Sequence, residues 1–463
     1  MFNESIVEFL IKHSKKNAVS FHMPGHKGGD IIAKHGYGEF LDNILGCDIT
    51  EIKGADNLFQ PESIIKETME AYKKLYDVKY TNLLVNGSSC GLVASVLATC
   101  QRGYKLIMAR NSHKSIFNAV KLGDIKPVYA RPELLEEYGI LGEISKDEIK
   151  RLIDENPDAK AVILPSPNYY GICSDIKEIA KHVHDAGMLL IVDQAHGAHL
   201  KFYDKNKAAE NLGADIVVNS THKTLLSFTE SAIINVCSDR VDILELEDKI
   251  QSIESTSPSY ILMASLDINE KIIRKHGQEL FKEWKTNIKE FYCECEKIKG
   301  LKVLKHSMHD DTKINIDMSA YGLDGTKLES ELIKRGIYPE LVTGSLVMCM
   351  SGIGNTKSDY DKLILALVNI ADKNVLGECV KCENIQSVAL ELTAVPTKKE
   401  KVLLSESEGR IIAESIIPYP PGIPLACPGE IINKEVIKHA LELRGNGYNV
   451  IGIDKDNKVF VGK

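Results

Sequence analysis

The sequence predicts an α/β fold whose main body is a mostly parallel sheet with helices on both faces, and three observations predict it. Strand-like apolar runs alternate with helix-like segments through the middle of the chain, the order that builds parallel sheets by crossover connections. Residues with chemistry recur just after the strands, at the edge where open α/β sheets gather ligands. The 463 residues exceed what one compact core accommodates, so two or three domains are expected. An N-terminal arm and helix are expected over 1–55, a large sheet domain over 56–290, a small α/β domain over 291–375 and a C-terminal domain over 376–463.

Residues 3–13 read as a short amphipathic helix with Ile6, Phe9 and Leu10 on one face. The next segment, 20–29, carries His22 and His26 at the spacing of helical metal ligands. Pro24 and Gly25 lie between them and disfavour a helix, so a glycine-rich turn is expected there and no metal site. A helix at about 62–76 presents Ile65, Met69, Tyr72 and Tyr76 on one face. A strand at 81–85 leads through Asn86-Gly87-Ser88-Ser89-Cys90-Gly91 into an apolar helix ending near Cys100. Such a strand, small-residue turn and helix can cradle an anion, because free N–H groups and the positive helix end point at one spot. The glycine spacing matches neither a Walker nor a dinucleotide fingerprint.

Strand-like runs then fall at 105–109, 127–130, 161–164, 188–192, 216–219 and 232–236, with helical segments at 115–122, 146–153 and 175–186. Pro165-Ser166-Pro167-Asn168-Tyr169-Tyr170-Gly171 forms a rim loop after one of these strands. Beyond Val236 the pattern turns helical, and Thr256-Ser257-Pro258-Ser259-Tyr260 caps a long helix running past Trp284. Shorter strands and helices from about 302 suggest a second α/β unit. Near the end, Pro418-Tyr419-Pro420-Pro421-Gly422-Ile423-Pro424 has four prolines in seven residues, which makes a stiff, extended segment. Glu430 follows a further Pro-Gly as a placed carboxylate.

A net charge of −8 with both signs interspersed gives no electrostatic case for nucleic acid. No apolar run reaches membrane-span length, and the first residues lack the basic start of a signal peptide. Eleven scattered cysteines suit a reducing compartment, so a cytoplasmic protein is expected. Cys379 and Cys382 form a lone CxxC without a second pair, which does not make a zinc site.

Two strand ends carry the chemistry. The run to Asn219 delivers Ser220-Thr221-His222-Lys223, and the run to Val192 delivers Asp193, followed by Gln194-Ala195-His196-Gly197-Ala198-His199. A lysine in an apolar setting is stabilised as the free amine and becomes a usable nucleophile. Asp at one strand end and Lys at another is what a Schiff-base pyridoxal phosphate site needs: the lysine binds the cofactor, and the acid keeps its ring nitrogen protonated. His113, after the 105–109 strand, stands where an imidazole can stack on a flat ring or cap a helix.

These motifs, with His22-Met23-Pro24-Gly25-His26-Lys27-Gly28-Gly29, Thr256-Ser257-Pro258-Ser259-Tyr260, Pro420-Pro421-Gly422-Ile423-Pro424 and Pro428-Gly429-Glu430, resemble the Orn/Lys/Arg decarboxylases in kind and in order. The resemblance covers nearly the whole chain and implies the short form, without the receiver-like N-terminal wing domain. It implies a fold type I pyridoxal-phosphate large domain with a seven-stranded, mostly parallel sheet, then a smaller α/β domain and a C-terminal α+β domain. It also implies that Lys223 binds the cofactor, Asp193 pairs with the ring nitrogen, His113 stacks on the ring and His196 lies near it. Ser88, Ser89, Cys90, Ser220 and His222 would hold the phosphate or orient the lysine. Thr256 and Ser257 would reach a neighbouring subunit's site, implying a homodimer, and His26 and Glu430 are the candidates for touching substrate. Gln194, Cys90, Phe59 and Ser63 depart from the usual pattern, where Glu, a hydroxyl, His and Gly are common.

The reaction implied is α-decarboxylation of arginine, lysine or ornithine to the amine and carbon dioxide, with Lys223 or His222 returning a proton to Cα. The rivals are another fold type I reaction, such as transamination or elimination, and a cofactor-binding homologue without turnover.

Overall fold

The computed structural model describes residues 5–377, 390–419, 424–445 and 449–463. Residues 3 and 4 of the first expected helix, the Cys379/Cys382 pair and residues 420–423 of the proline-rich segment lie outside the described residues.

Helix α1 (Ile6–Ser14) opens on a capping box between Ser5 and Glu8, and it buries none of its residues. Ile6, Phe9 and Leu10, the expected apolar face, are exposed in the single chain. Strand β1 (Val19–Phe21) follows, and then helix α2 (Ile64–Tyr76), which buries the expected Ile65, Met69, Tyr72 and Tyr76. The large sheet is assembled from β2 (Tyr80–Leu84), β3 (Lys105–Ala109), β4 (Lys126–Ala130), β5 (Ala159–Pro165), β6 (Leu189–Asp193), β7 (Ile216–Asn219) and β8 (Ala232–Val236).

The order across that sheet is β2-β8-β7-β6-β5-β3-β4. Pairs from β7 to β4 are parallel, whereas β8 runs antiparallel to both β2 and β7. The sheet is therefore mixed at one end, for a local reason. The chain from Asn219 to Ala232 is occupied by one helical turn, Thr221–Thr224, and a loop, which leaves nothing to cross the sheet as a parallel connection requires. Helix α3 (Gly87–Thr99) is apolar and buries Cys90 to Val96, as a helix enclosed on most sides must. Two apolar clusters cover the two faces of the sheet, one built on α3 and the other on residues 144–183.

Helix α4 (Tyr260–Cys295) runs 36 residues from the sheet to a four-stranded sheet. That sheet has the order Lys302–Val303, Lys313–Asp317, Leu346–Met350, Leu341–Thr343. Strand β1 pairs in parallel with Ile337–Pro339, so the N-terminal segment is stitched to this second unit. A separate apolar cluster fills residues 390–461. Among the described residues no helix is long and apolar enough to cross a membrane.

Candidate active site

Strands β6 and β7 are neighbours, and Asp193 is in register with Val218. Their ends therefore deliver Asp193 and the Ser220–Lys223 turn to the same edge of the sheet. A cavity of about 260 Å³ opens there, and its lining includes Ser88, Ser89, His113, Asp193, His196, His222 and Lys223.

Lys223 Nζ donates to His196 Nε2 at 3.0 Å. Burial lowers the Lys223 pKa, against the pull of Asp193 and Glu340. Burial, and then the Lys223 charge, pushes His196 well below its ordinary value, so its imidazole is neutral and acts as acceptor. Asp193 is 6% exposed, accepts a hydrogen bond from the Ala195 amide at 3.1 Å, and has its pKa raised by burial. A low-dielectric pocket thus holds an amine and a carboxylate without forming a direct ion pair between them.

His113 caps the helix that follows it, accepting from the Ser115 amide at 3.3 Å, and it also lines the cavity. Its Nδ1 faces the Ser115 hydroxyl at 2.9 Å as well. His222 pairs through Nδ1 with the Ser231 carbonyl at 2.9 Å. Burial holds both His113 and His222 at about 4, neutral near neutral pH. Ser88 and Ser89 stand in the first turn of α3, after Gly87 at φ +75°, a left-handed value suited to glycine. Ser220 Oγ is buried and makes no hydrogen bond among the described residues.

The rest of the expected set is placed elsewhere. Glu430 is a correction: it is 2% exposed and absent from the cavity lining, because its carboxylate is bound by Arg110 Nε at 2.7 Å and Nη2 at 2.8 Å. The Cys427 amide adds a third donor at 2.8 Å, so Glu430 ties the C-terminal segment to the end of β3. Cys90 is likewise corrected: it is buried one residue past the open turn, and burial beside Glu254 pushes its thiol up. His26 does not line the cavity either; its ring packs edge-on against Phe228 at 5.8 Å. Thr256 and Ser257 are exposed and do not line the cavity of their own chain. Gln194 faces away from the cavity, donating to Glu210 at 2.9 Å and Asn219 at 3.0 Å and accepting from the Ala209 amide at 2.8 Å. Phe59 and Ser63 also lie outside the lining.

Sequence reasoning missed several neighbours. The loop 22–29 docks on the lysine turn: the Gly25 amide donates to the His222 carbonyl at 2.7 Å, and a Cβ at Gly25 would sit 2.4 Å from the Leu225 carbonyl oxygen. Met23 and Tyr169 line the cavity, and Tyr169 leans on His196 with ring centroids 4.5 Å apart. Only the position of Tyr169 in the rim loop signalled it. Lys313 is fully buried, and its Nζ donates to the His196 carbonyl at 3.0 Å. Nothing in the local sequence separates it from a solvated strand flank. Among the described residues no cluster of three or more His, Cys, Asp or Glu is placed to hold a metal ion.

The sequence matches the Orn/Lys/Arg decarboxylase major domain over residues 5–314 and the Orn/Lys/Arg decarboxylase C-terminal domain over residues 384–452. An arginine decarboxylase of Bacillus subtilis (strain 168) is 33% identical over 467 residues, covering 96% of this chain and 94% of that protein. Among solved structures, the Francisella novicida lysine decarboxylase LdcF superposes with a TM-score of 0.79 at 22% identity, over 98% of this chain and 80% of its own. A serine palmitoyltransferase variant solved with pyridoxal phosphate gives a TM-score of 0.60 at 14% identity, over 77% of this chain and 87% of that one. Both structural likenesses speak to the fold.

Proposed function

The chain belongs to the Orn/Lys/Arg decarboxylase family, and we propose that it releases the α-carboxylate of a basic L-amino acid as carbon dioxide with pyridoxal phosphate as cofactor. The observation that carries the reading is the meeting of Lys223, His196 and Asp193 in one cavity at the ends of adjacent strands.

The residues fit that cofactor on three counts. The amine of Lys223 is buried beside a neutral acceptor, which favours the nucleophilic form. The hydroxyl of Ser220 is buried with no partner among the described residues, and the first turn of α3 offers amides and hydroxyls suited to a phosphate. The Asp193 carboxylate, which burial biases towards the protonated form, would be returned to its ionised form by a cationic ring nitrogen. Ser88, Ser89, Ser220 and His222 would hold the phosphate end, Asp193 the ring nitrogen, His113 the ring face and Lys223 the reactive carbon.

Pyridoxal phosphate, when bound, supplies a sink for the electron pair left as carbon dioxide departs. The chain's own residues do the rest. His196 Nε2 holds the Lys223 amine in place and can take a proton from it or return one. Lys223 gives the proton that replaces the carboxylate at Cα. His222 is less suited to that role, because it is neutral and its Nδ1 is engaged with Ser231. Arginine is the first substrate to try, since the 33%-identical Bacillus relative is named for it. A homodimer is proposed as the working form, with exposed Thr256 and Ser257 turned to a second copy's cavity.

Carbon dioxide and amine are measured from arginine, lysine and ornithine with purified protein and added cofactor. Equal amounts of amine and carbon dioxide from at least one of them are expected. A keto acid product, or no product from any of the three, contradicts the reading.

A further inference from the structure

Backbone pairing between β6 and β7 stops at the edge of the site. The last ladder pair is Asp193 with Val218, and the Gln194 amide adds a bond to the Val218 carbonyl at 2.9 Å. One residue further along each chain, side chains take over. Gln194 Nε2 donates to Asn219 Oδ1 at 3.0 Å and to Glu210 Oε2 at 2.9 Å. Asn219 Nδ2 donates to Glu210 Oε1 at 2.8 Å, and Asn235 Nδ2 on β8 donates to the same oxygen at 3.2 Å. One half-buried carboxylate, carried by the turn Ala209–Asn211, thus collects fully buried amides from three neighbouring chain segments.

The directions of these bonds are fixed from outside the cluster. The Ala209 amide can only donate, at 2.8 Å, so Gln194 presents Oε1 to it and Nε2 to the carboxylate. The Asn219 oxygen is taken by Gln194, and the Asn235 oxygen accepts from the Thr81 hydroxyl at 2.8 Å. Three N–H groups are left pointing at position 210, and a carboxylate is the side chain that only accepts. Position 194 needs a neutral donor for the same reason, because an acid there would set two like charges side by side.

We propose that Glu210 is a positioning residue for the reaction, setting the spacing between Asp193, which precedes Gln194, and the Ser220–Lys223 turn, which follows Asn219. This role rests on the pyridoxal phosphate decarboxylase reading, and it belongs to a residue outside the cavity lining. Asp193 and Lys223 serve one rigid cofactor, so a small shift of either strand end misplaces the cofactor against the amine. A buried amide that loses its partner has no water to replace it, so the network holds or fails as a unit.

The test uses Gln194→Glu, Glu210→Gln and the two together, read by kcat, KM, cofactor affinity from absorbance titration of the cofactor-free chain, and the urea midpoint. Gln194→Glu puts two carboxylates in contact, and Glu210→Gln turns a second amide donor towards Gln194. Each should lower kcat by about 10- to 100-fold and weaken cofactor binding by about tenfold, with KM within about threefold of the parent. The pair restores an amide-to-carboxylate bond between the two positions, so it should regain about tenfold over Gln194→Glu alone in both kcat and cofactor affinity. A purely structural carboxylate would lower the urea midpoint and leave the other readouts alone. Parental kcat and cofactor affinity in Glu210→Gln, or losses that simply multiply in the pair, overturn the proposal. Where Gln194→Glu does not fold, a pair that folds and binds cofactor supports the coupling, and a pair that does not overturns it. A parent that shows this pattern in cofactor affinity but releases no carbon dioxide keeps the assignment and removes the decarboxylase reading.

Discussion

Two lysine amines bracket His196: Lys223 bonds its ring Nε2 and Lys313 bonds its backbone carbonyl, each at 3.0 Å. Lys313 is fully enclosed, and its amine also lies 3.3 Å from the Asp310 carboxylate and 3.3 Å from the Thr312 hydroxyl. Burial opposes ionisation of Asp310, yet Lys313 and His199 hold its pKa well below the ordinary carboxylate value. Lys223 lines the cavity, and among the described residues its hydrogen-bond partner is a neutral imidazole. Burial alone does not make a reactive amine. A bonded acid turns a buried lysine into a structural cation, and the lack of one leaves it free for chemistry.

The comparison breaks most readily at Lys223 itself. Lys223→Ala should lower kcat by about 10⁴-fold or more and remove the visible absorbance of the bound cofactor, since the nucleophile has no substitute. Lys313→Met should lower the unfolding free energy measured in urea by about 3–5 kcal/mol, because Asp310 loses its buried counter-charge. If the structural role is right, that variant keeps its cofactor absorbance. Asp193→Ala should retain covalent cofactor binding but lose about 10²- to 10³-fold in kcat, roughly 3–4 kcal/mol of barrier. Near-full turnover in this variant would remove Asp193 from the mechanism.

A further effect is on stability in acid. His26, His113 and His222 are held at about 4 in the folded chain, below their unfolded value. The unfolded state therefore binds more protons between about pH 6.5 and 4, so stability rises with pH there, by up to about 1.4 kcal/mol per unit for each histidine. Full stability is present above that window and is lost as pH falls through it. Melting of the cofactor-free chain should show a falling midpoint from pH 7 to 5, and a flat profile would contradict the neutral histidines.

The strands of the large sheet were legible because runs such as 216–219 and 232–236 are continuous and apolar, and all nine of those residues are buried. The antiparallel placement of β8 was not, since it depends on what the chain does between Asn219 and Ala232. Asp193 and Lys223 could be read because Asp193 ends one strand and Lys223 lies in the short turn after its neighbour, and adjacent strand ends share an edge. Glu340, Tyr169 and Met23 come from three distant segments that meet only in the folded chain, and no local pattern announces them. Glu430 looked like a placed carboxylate, and it is one, but its partner Arg110 lies 320 positions away. Spacing along the chain identifies what an element can carry to a site, whereas the partner of a buried charge is fixed by tertiary contact.

One measurement bears most directly on the difference between the two lysines. The chain is loaded with pyridoxal phosphate, reduced with borohydride to make the cofactor linkage permanent, and digested for peptide mapping by mass spectrometry. The cofactor mass on the peptide carrying Lys223, and on no peptide carrying Lys313 or Lys27, is the predicted result. Label on either of those lysines, or a chain that takes up no label, contradicts it.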